Sequence, residues 1–289
     1  MPDKATHKAK IYDAIFSSNG LGAIFARASA VSFAVKLAHT TATFGVTLVR
    51  ARTLGPAEYG IYAYVLAIAT ILSIPVQFGL PALLLREISA ARQREQWGTI
   101  HGLIVRSDQV VFLTSIAAIA IFSIFIWFTF SNLQETTLIT AAIGILLVPL
   151  LALGRLRGAA LRAFQKVIIS LLPQQGLRPV LLLGALIAIQ FLAPNFSLTA
   201  PAAMTLHVCA AAFAVAVGVF FLRRERTCIA PFAPATYDTR NWLQSALPLG
   251  VTSGAMEIMR YSDIIILGIF STSNDVGVYR VAAQSSMLI

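Results

Sequence analysis

The sequence predicts an all-α fold, a polytopic bundle of transmembrane helices with no inserted soluble domain. Three observations carry this reading. Hydrophobic residues make up 57% of the 289-residue chain and charged residues only 12%, where soluble domains carry about a quarter charged residues. The mean hydropathy is +0.78. The apolar residues also fall in runs near the ~20 that cross about 30 Å of hydrocarbon, and the connections between runs are short.

The first element, 1–26, reads as a cytoplasmic tail. Its basic residues Lys4, Lys8 and Lys10 lead only to a short apolar group, Ile11, Ile15 and Phe16. That is not the h-region and cleavage site of a signal peptide, although the three residues also fit one face of a helix lying on the membrane surface. Seven spans follow, near 28–49, 61–85, 108–130, 138–156, 167–192, 200–222 and 243–270. An eighth begins near Val276 and the sequence is still apolar at Ile289, so the chain is expected to stop inside that helix.

The net charge of +10 is distributed by side. Arg86, Arg92 and Arg94 follow span two. Arg155, Arg157, Arg162 and Lys166 follow span four, and Arg223, Arg224, Arg226 and Arg240 follow span six. The 131–137 and 193–199 loops have no Lys or Arg, and only Arg50 and Arg52 break the pattern. Excess Lys and Arg mark cytoplasmic loops, so the N-terminus and the even-numbered loops are expected in the cytoplasm. The basic charge needs no nucleic-acid partner. Cys209 and Cys228 sit in no CxxC or Cys/His cluster, and His39 and His101 are isolated by spacing, so no metal site, disulfide framework or cofactor is predicted. Phosphate-loop, zinc-protease, nucleophile-elbow and dinucleotide fingerprints are absent.

An internal repeat organises the chain. Glu58-Tyr59-Gly60-Ile61-Tyr62 returns as Asp275-Val276-Gly277-Val278-Tyr279, an offset of 217 residues, each copy opening an even-numbered span. Parallel repeats of this kind build two-lobed transporters. The expected division is a six-helix first lobe over 27–222, an inter-lobe loop over 223–242 and the start of a second lobe over 243–289.

Charged residues inside a membrane cost at least about 2.5–3.5 kcal/mol on insertion scales, and mark functional paths. Span one carries a polar stripe at helical spacing through Lys36, Thr40, Thr43, Thr47 and Arg50. A bland alternative has Lys36 snorkelling while the threonines bond their own backbone. Span seven repeats the stripe as Ser253, Glu257 and Arg260, which fall 217 residues after Lys36, Thr40 and Thr43. Arg260 is in reach of Glu257 and Asp263, so a purely structural ion pair is the competing reading. Span five reads Pro173-Gln174-Gln175-Gly176-Leu177-Arg178-Pro179, which should kink the helix and put Gln174 and Arg178 on one face; a kink needed only for packing is the alternative. Arg106 and Asp108 read as interfacial anchors.

The stretch from Ala51 to Tyr62, with Gly55-Pro56 and Glu58-Tyr59-Gly60, resembles the loop after the first helix of bacterial polysaccharide flippases. Phe78-Gly79-Leu80-Pro81 to Arg86-Glu87, Leu247-Pro248-Leu249, Asp263 to Gly268 and Val276 to Tyr279 resemble later stretches of the same proteins. These are the O-antigen and exopolysaccharide translocases of the multidrug/oligosaccharidyl-lipid/polysaccharide exporter superfamily, and the resemblance covers 28–289. It implies two six-helix lobes around a central cavity. It also implies translocation of an undecaprenyl-diphosphate-linked oligosaccharide to the periplasmic leaflet by alternating access. Membrane lipid and the polyprenyl-diphosphate-linked glycan are the implied partners, with a polysaccharide polymerase or other assembly protein beside them. On this reading Lys36, Arg178 and Arg260 hold the diphosphate, Gln174, Thr40 and Thr43 meet sugar, and Glu257 lines the cavity. Three alternatives stay open: a multidrug or cation antiporter using Glu257, a membrane-embedded polymerase or ligase, and an inactive fragment.

Overall fold

The computed structural model describes residues 21–129, 135–192, 198–229 and 234–286. Ile11, Ile15 and Phe16 lie outside them, as do the side chains of Lys36 and His39. Every element is helical: α1 (Leu21–Gln77), α2 (Leu80–Gln93), α3 (Trp97–Thr129), α4 (Glu135–Gly144), α5 (Leu147–Ala163), α6 (Val167–Leu171), a π-helical turn (Leu172–Leu177), α7 (Arg178–Leu192), α8 (Ala200–Ile229), α9 (Thr239–Phe270) and α10 (Ser273–Ser286). Among the described residues, five segments are long and apolar enough to cross a membrane: Thr40–Gln77, Trp97–Ile124, Glu135–Ala163, Val167–Ile189 and Ala200–Glu225.

The breaks are dictated by proline and glycine. The α1 segment is two helices joined at Gly55, whose φ of 76° and ψ of 167° are non-helical. Pro56 drives its predecessor out of the α region, and only glycine takes such a positive φ without cost. The two limbs are therefore the first and second expected spans. Arg50 bonds Tyr62 across this turn, where a straight helix would hold them about 18 Å apart. The second limb does not run through to residue 85 as expected. It stops at Phe78 and Gly79, both left-handed with φ of 46° and 70°, and α2 restarts with proline in its first turn. Pro149, without an N–H to donate, falls where α4 gives way to α5. The predicted kink of span five is the π-turn, the usual way a helix absorbs one surplus residue.

The helices also run further than the apolar runs implied. Asp108 lies inside α3 and pairs with Arg157 at 2.8 Å. Arg106 lies in the same helix and donates to Gln109 at 3.0 Å. Arg155, Arg157 and Arg162 belong to α5 and not to a loop. That helix continues because Leu156, Ala159, Ala160 and Leu161 keep one face buried while the arginines occupy another. Helices α8 and α9 likewise extend into the expected inter-lobe connection. What is left of it crosses the start of α3, where the Thr236 amide donates to the Gly98 carbonyl at 3.1 Å.

One apolar core joins α1 to α8 and takes in Trp242 and Ala246 of α9. Helix α9 packs antiparallel to the limb 56–77, with Gly250 against Gly79, Gly254 against Ile74 and Gly268 against the ring of Tyr64. A small second cluster of Ala67, Ile264 and Val276 seals this seam.

The two copies of the repeat touch each other. A Cβ on Gly60 would overlap the carbonyl oxygen of Ser273, and a Cβ on Gly277 would overlap that of Pro56. Ser273 stands 217 residues after Pro56, as Gly277 does after Gly60. The contact is thus reciprocal, the pattern a two-fold relation produces. The acids of the motif serve neighbouring backbone. Glu58 accepts the Ala200 amide at 2.6 Å, at the start of α8, and Asp275 accepts the Ser271 and Thr272 hydroxyls at 2.6 and 2.7 Å. These bonds hold the Asp275 carboxyl below its ordinary range.

Alanine at Gly60 or at Gly277 is expected to destabilise the purified chain by about 1–3 kcal/mol, as overpacking does. Alanine at Gly184, which has nothing within 4 Å, should leave stability level or slightly higher. Thermal unfolding in detergent micelles measures all three.

Candidate functional site

The site is a cavity of about 650 Å³ between the limb 56–77, the start of α2, helix α5, the π-turn and α9. Four arginines line it, Arg155, Arg162, Arg178 and Arg260, against one carboxylate, Glu257. Neutral polar groups complete the wall: Thr70, Gln77, Ser170, Gln174, Gln175 and Ser253.

Each cation is delivered by a different local device. Arg155 and Arg162 stand seven residues apart, two turns of α5, and so share a face. The π-turn aims Gln174 inward against Gly154. Arg178, one turn on, donates to the Gln174 carbonyl oxygen at 3.4 Å. Glu257 forms an ion pair with Arg155 across the cavity, and its other oxygen lies 3.8 Å from Nε of Arg260 on its own helix. Guanidinium groups engage phosphate or carboxylate oxygens through a planar fork. Four of them against one carboxylate leave the cavity with an excess of positive charge.

A second cavity of about 670 Å³ lies on the other face of the same limb and is lined largely by apolar side chains, among them Val65, Ile68, Leu72, Phe122 and Ile269. No charged side chain is among its described lining residues.

A family model described as polysaccharide biosynthesis protein matches residues 25–289. The chain belongs to this family. It is a polysaccharide-related, multi-pass membrane transporter. No curated protein and no solved structure matched the chain.

Four of the residues singled out by sequence, Gln174, Arg178, Glu257 and Arg260, meet in the cavity of this polysaccharide-family bundle. Thr40 and Thr43 are half-buried on the first limb and do not line it; the Thr43 carbonyl accepts from Thr47 at 3.0 Å. Asp263 does not partner Arg260. Its carboxylate takes the Tyr279 hydroxyl at 2.7 Å and the Ile264 amide at 2.8 Å.

Sequence reasoning missed Arg155, Arg162 and Gln77 in the cavity. The clue for the arginines was the two-turn spacing set among Gly154, Gly158 and leucines, which is helix patterning. It also missed a buried cluster in the core of the first six spans. Arg50, 5% exposed, lies over the Tyr62 ring with 4.4 Å to its centre and donates to the Tyr62 hydroxyl. That hydroxyl also bonds Nδ1 of His207, which is 3% exposed. No pattern in the sequence ties a histidine in span six to residues 145 positions earlier.

Replacing Tyr62 by Phe removes the one oxygen that bonds both partners. The variant is expected to lose about 1–3 kcal/mol, the cost of leaving buried polar groups unpaired, measured by thermal unfolding of the purified chain against wild type.

Proposed function

We propose that the chain flips an undecaprenyl-diphosphate-linked oligosaccharide across the bacterial cytoplasmic membrane by alternating access. The observation that carries this reading is the cavity charge: four arginines and one carboxylate around about 650 Å³ in a membrane bundle. A diphosphate diester carries two negative charges and needs cations along its path through hydrocarbon. In this reading Arg155, Arg178 and Arg260 hold the diphosphate, with Arg162 towards the basic end. Gln174 and Gln77 give the sugars hydrogen-bond partners.

The polar stripe of the first limb, Lys36, Thr40 and Thr43, serves the part of the path beyond this cavity. The basic ends of the helices face the cytoplasm and the N-terminus lies there too, in keeping with the loop charges. Glu257, the acid that an antiporter would use, is already engaged by two guanidinium groups, which disfavours that reading.

Single Ala substitutions at Arg155, Arg178 and Arg260 test the proposal in the host strain. Each is expected to cut surface polysaccharide at least about tenfold, the factor one charge-assisted hydrogen bond carries, while the lipid-linked precursor accumulates. Normal polysaccharide from all three would overturn it.

A further inference from the structure

The salt bridge between Arg155 and Glu257 differs from the others in what it joins. Arg86–Glu87, Arg157–Asp108 and Lys166–Glu225 each stay within the first six spans. Arg155 belongs to α5 and Glu257 to α9, so this pair fastens the first six spans to the helix that opens the second repeat. Elsewhere α9 meets those spans through glycines and apolar side chains: Gly254 with Ile74 and Gly268 with Tyr64.

Glu257 also has an unusual share of the cavity's charge. One carboxylate oxygen is taken by Arg155 and the other faces Arg260. Two of the four lining arginines are therefore occupied by a side chain that is itself 17% exposed. Their own side chains are 37% and 66% exposed, open enough for an incoming anion to reach. Arg178, by contrast, has a neutral partner in Gln174.

We infer that Glu257 is a resident counter-anion that the substrate must displace. It holds Arg155 and Arg260 when the cavity is empty and yields them to the diphosphate, so that binding unfastens α5 from α9. This inference rests on the diphosphate reading above. A doubly charged diphosphate offers both guanidinium forks more anionic oxygen than one carboxylate does. A neutral glycan or glycolipid does not compete for those cations and leaves the fastening shut. Glu257 thereby couples release of the lobes to the charge of the carrier. The carboxylate also lowers apparent affinity, because only the fraction of molecules with free arginines is competent to bind.

The test is binding of inorganic pyrophosphate to the purified chain by calorimetry, in wild type, E257Q, E257D and R178A. E257Q should bind at least about tenfold tighter than wild type, the factor for one competing charge-assisted bond. E257D, whose shorter side chain holds Arg155 less well, should fall between them, and it serves as the test should E257Q not fold. Unchanged affinity in both variants, with only a drop in thermal stability, would make the pair a structural brace and overturn the inference. If that result comes with binding abolished in R178A, the diphosphate reading stands without it. Absence of pyrophosphate binding in wild type and E257Q alike overturns both.

Discussion

Hydrocarbon supplies no partner for a backbone N–H or C=O, and each unmet group costs several kcal/mol. Every other feature of the bundle answers to that constraint. Every regular element among the described residues is helical, and three of the breaks inside the bundle meet protein or a cavity. Beside the turn at Gly55, the Pro56 carbonyl is met by Gly277 of α10. The left-handed pair Phe78-Gly79 is covered by α9. The π-turn Leu172–Leu177 borders the basic cavity through Gln174 and Gln175. Pro173 of the π-turn thus falls in a stretch of span five that borders the cavity.

The same constraint explains how the chain carries its charge. Arg50 is sheathed by the face and hydroxyl of Tyr62. Arg157 is matched by Asp108. The four arginines of the cavity are not matched one for one; a single carboxylate is shared between two of them. Buried charges survive when paired, and an excess of one sign is tolerated only where a wet cavity or a ligand completes the set. On the proposed reading, the diphosphate of the cargo completes that set.

The architecture was legible because its signals are local. Span positions follow from apolar runs, and the kink in span five from two prolines and a glycine. Gln174 and Arg178 followed from one turn of spacing, and Glu257 and Arg260 from the expense of intramembrane charge. What escaped depends on how far a helix persists beyond its apolar run, and on contacts between distant segments. Charge alone assigned Arg155 and Arg162 to a loop, whereas packing of Leu156, Ala159 and Leu161 carries α5 past them. His207 was unreadable because its partner Tyr62 lies 145 residues away, and Arg50 reaches Tyr62 only through the turn at Gly55. Helical spacing puts Asp263 within reach of Arg260, whereas the fold brings it Tyr279 from the next helix.

The reciprocal meeting of Gly60 and Gly277 has a geometric consequence. A surface that packs on its own repeat is self-complementary, so two copies of such a segment need no second kind of interface, only a tether. The tyrosines mark where the copies differ: Tyr62 is bonded by a cation, Arg50, and its counterpart Tyr279 by an anion, Asp263. Backbone packing is common to both copies, and electrostatics is not.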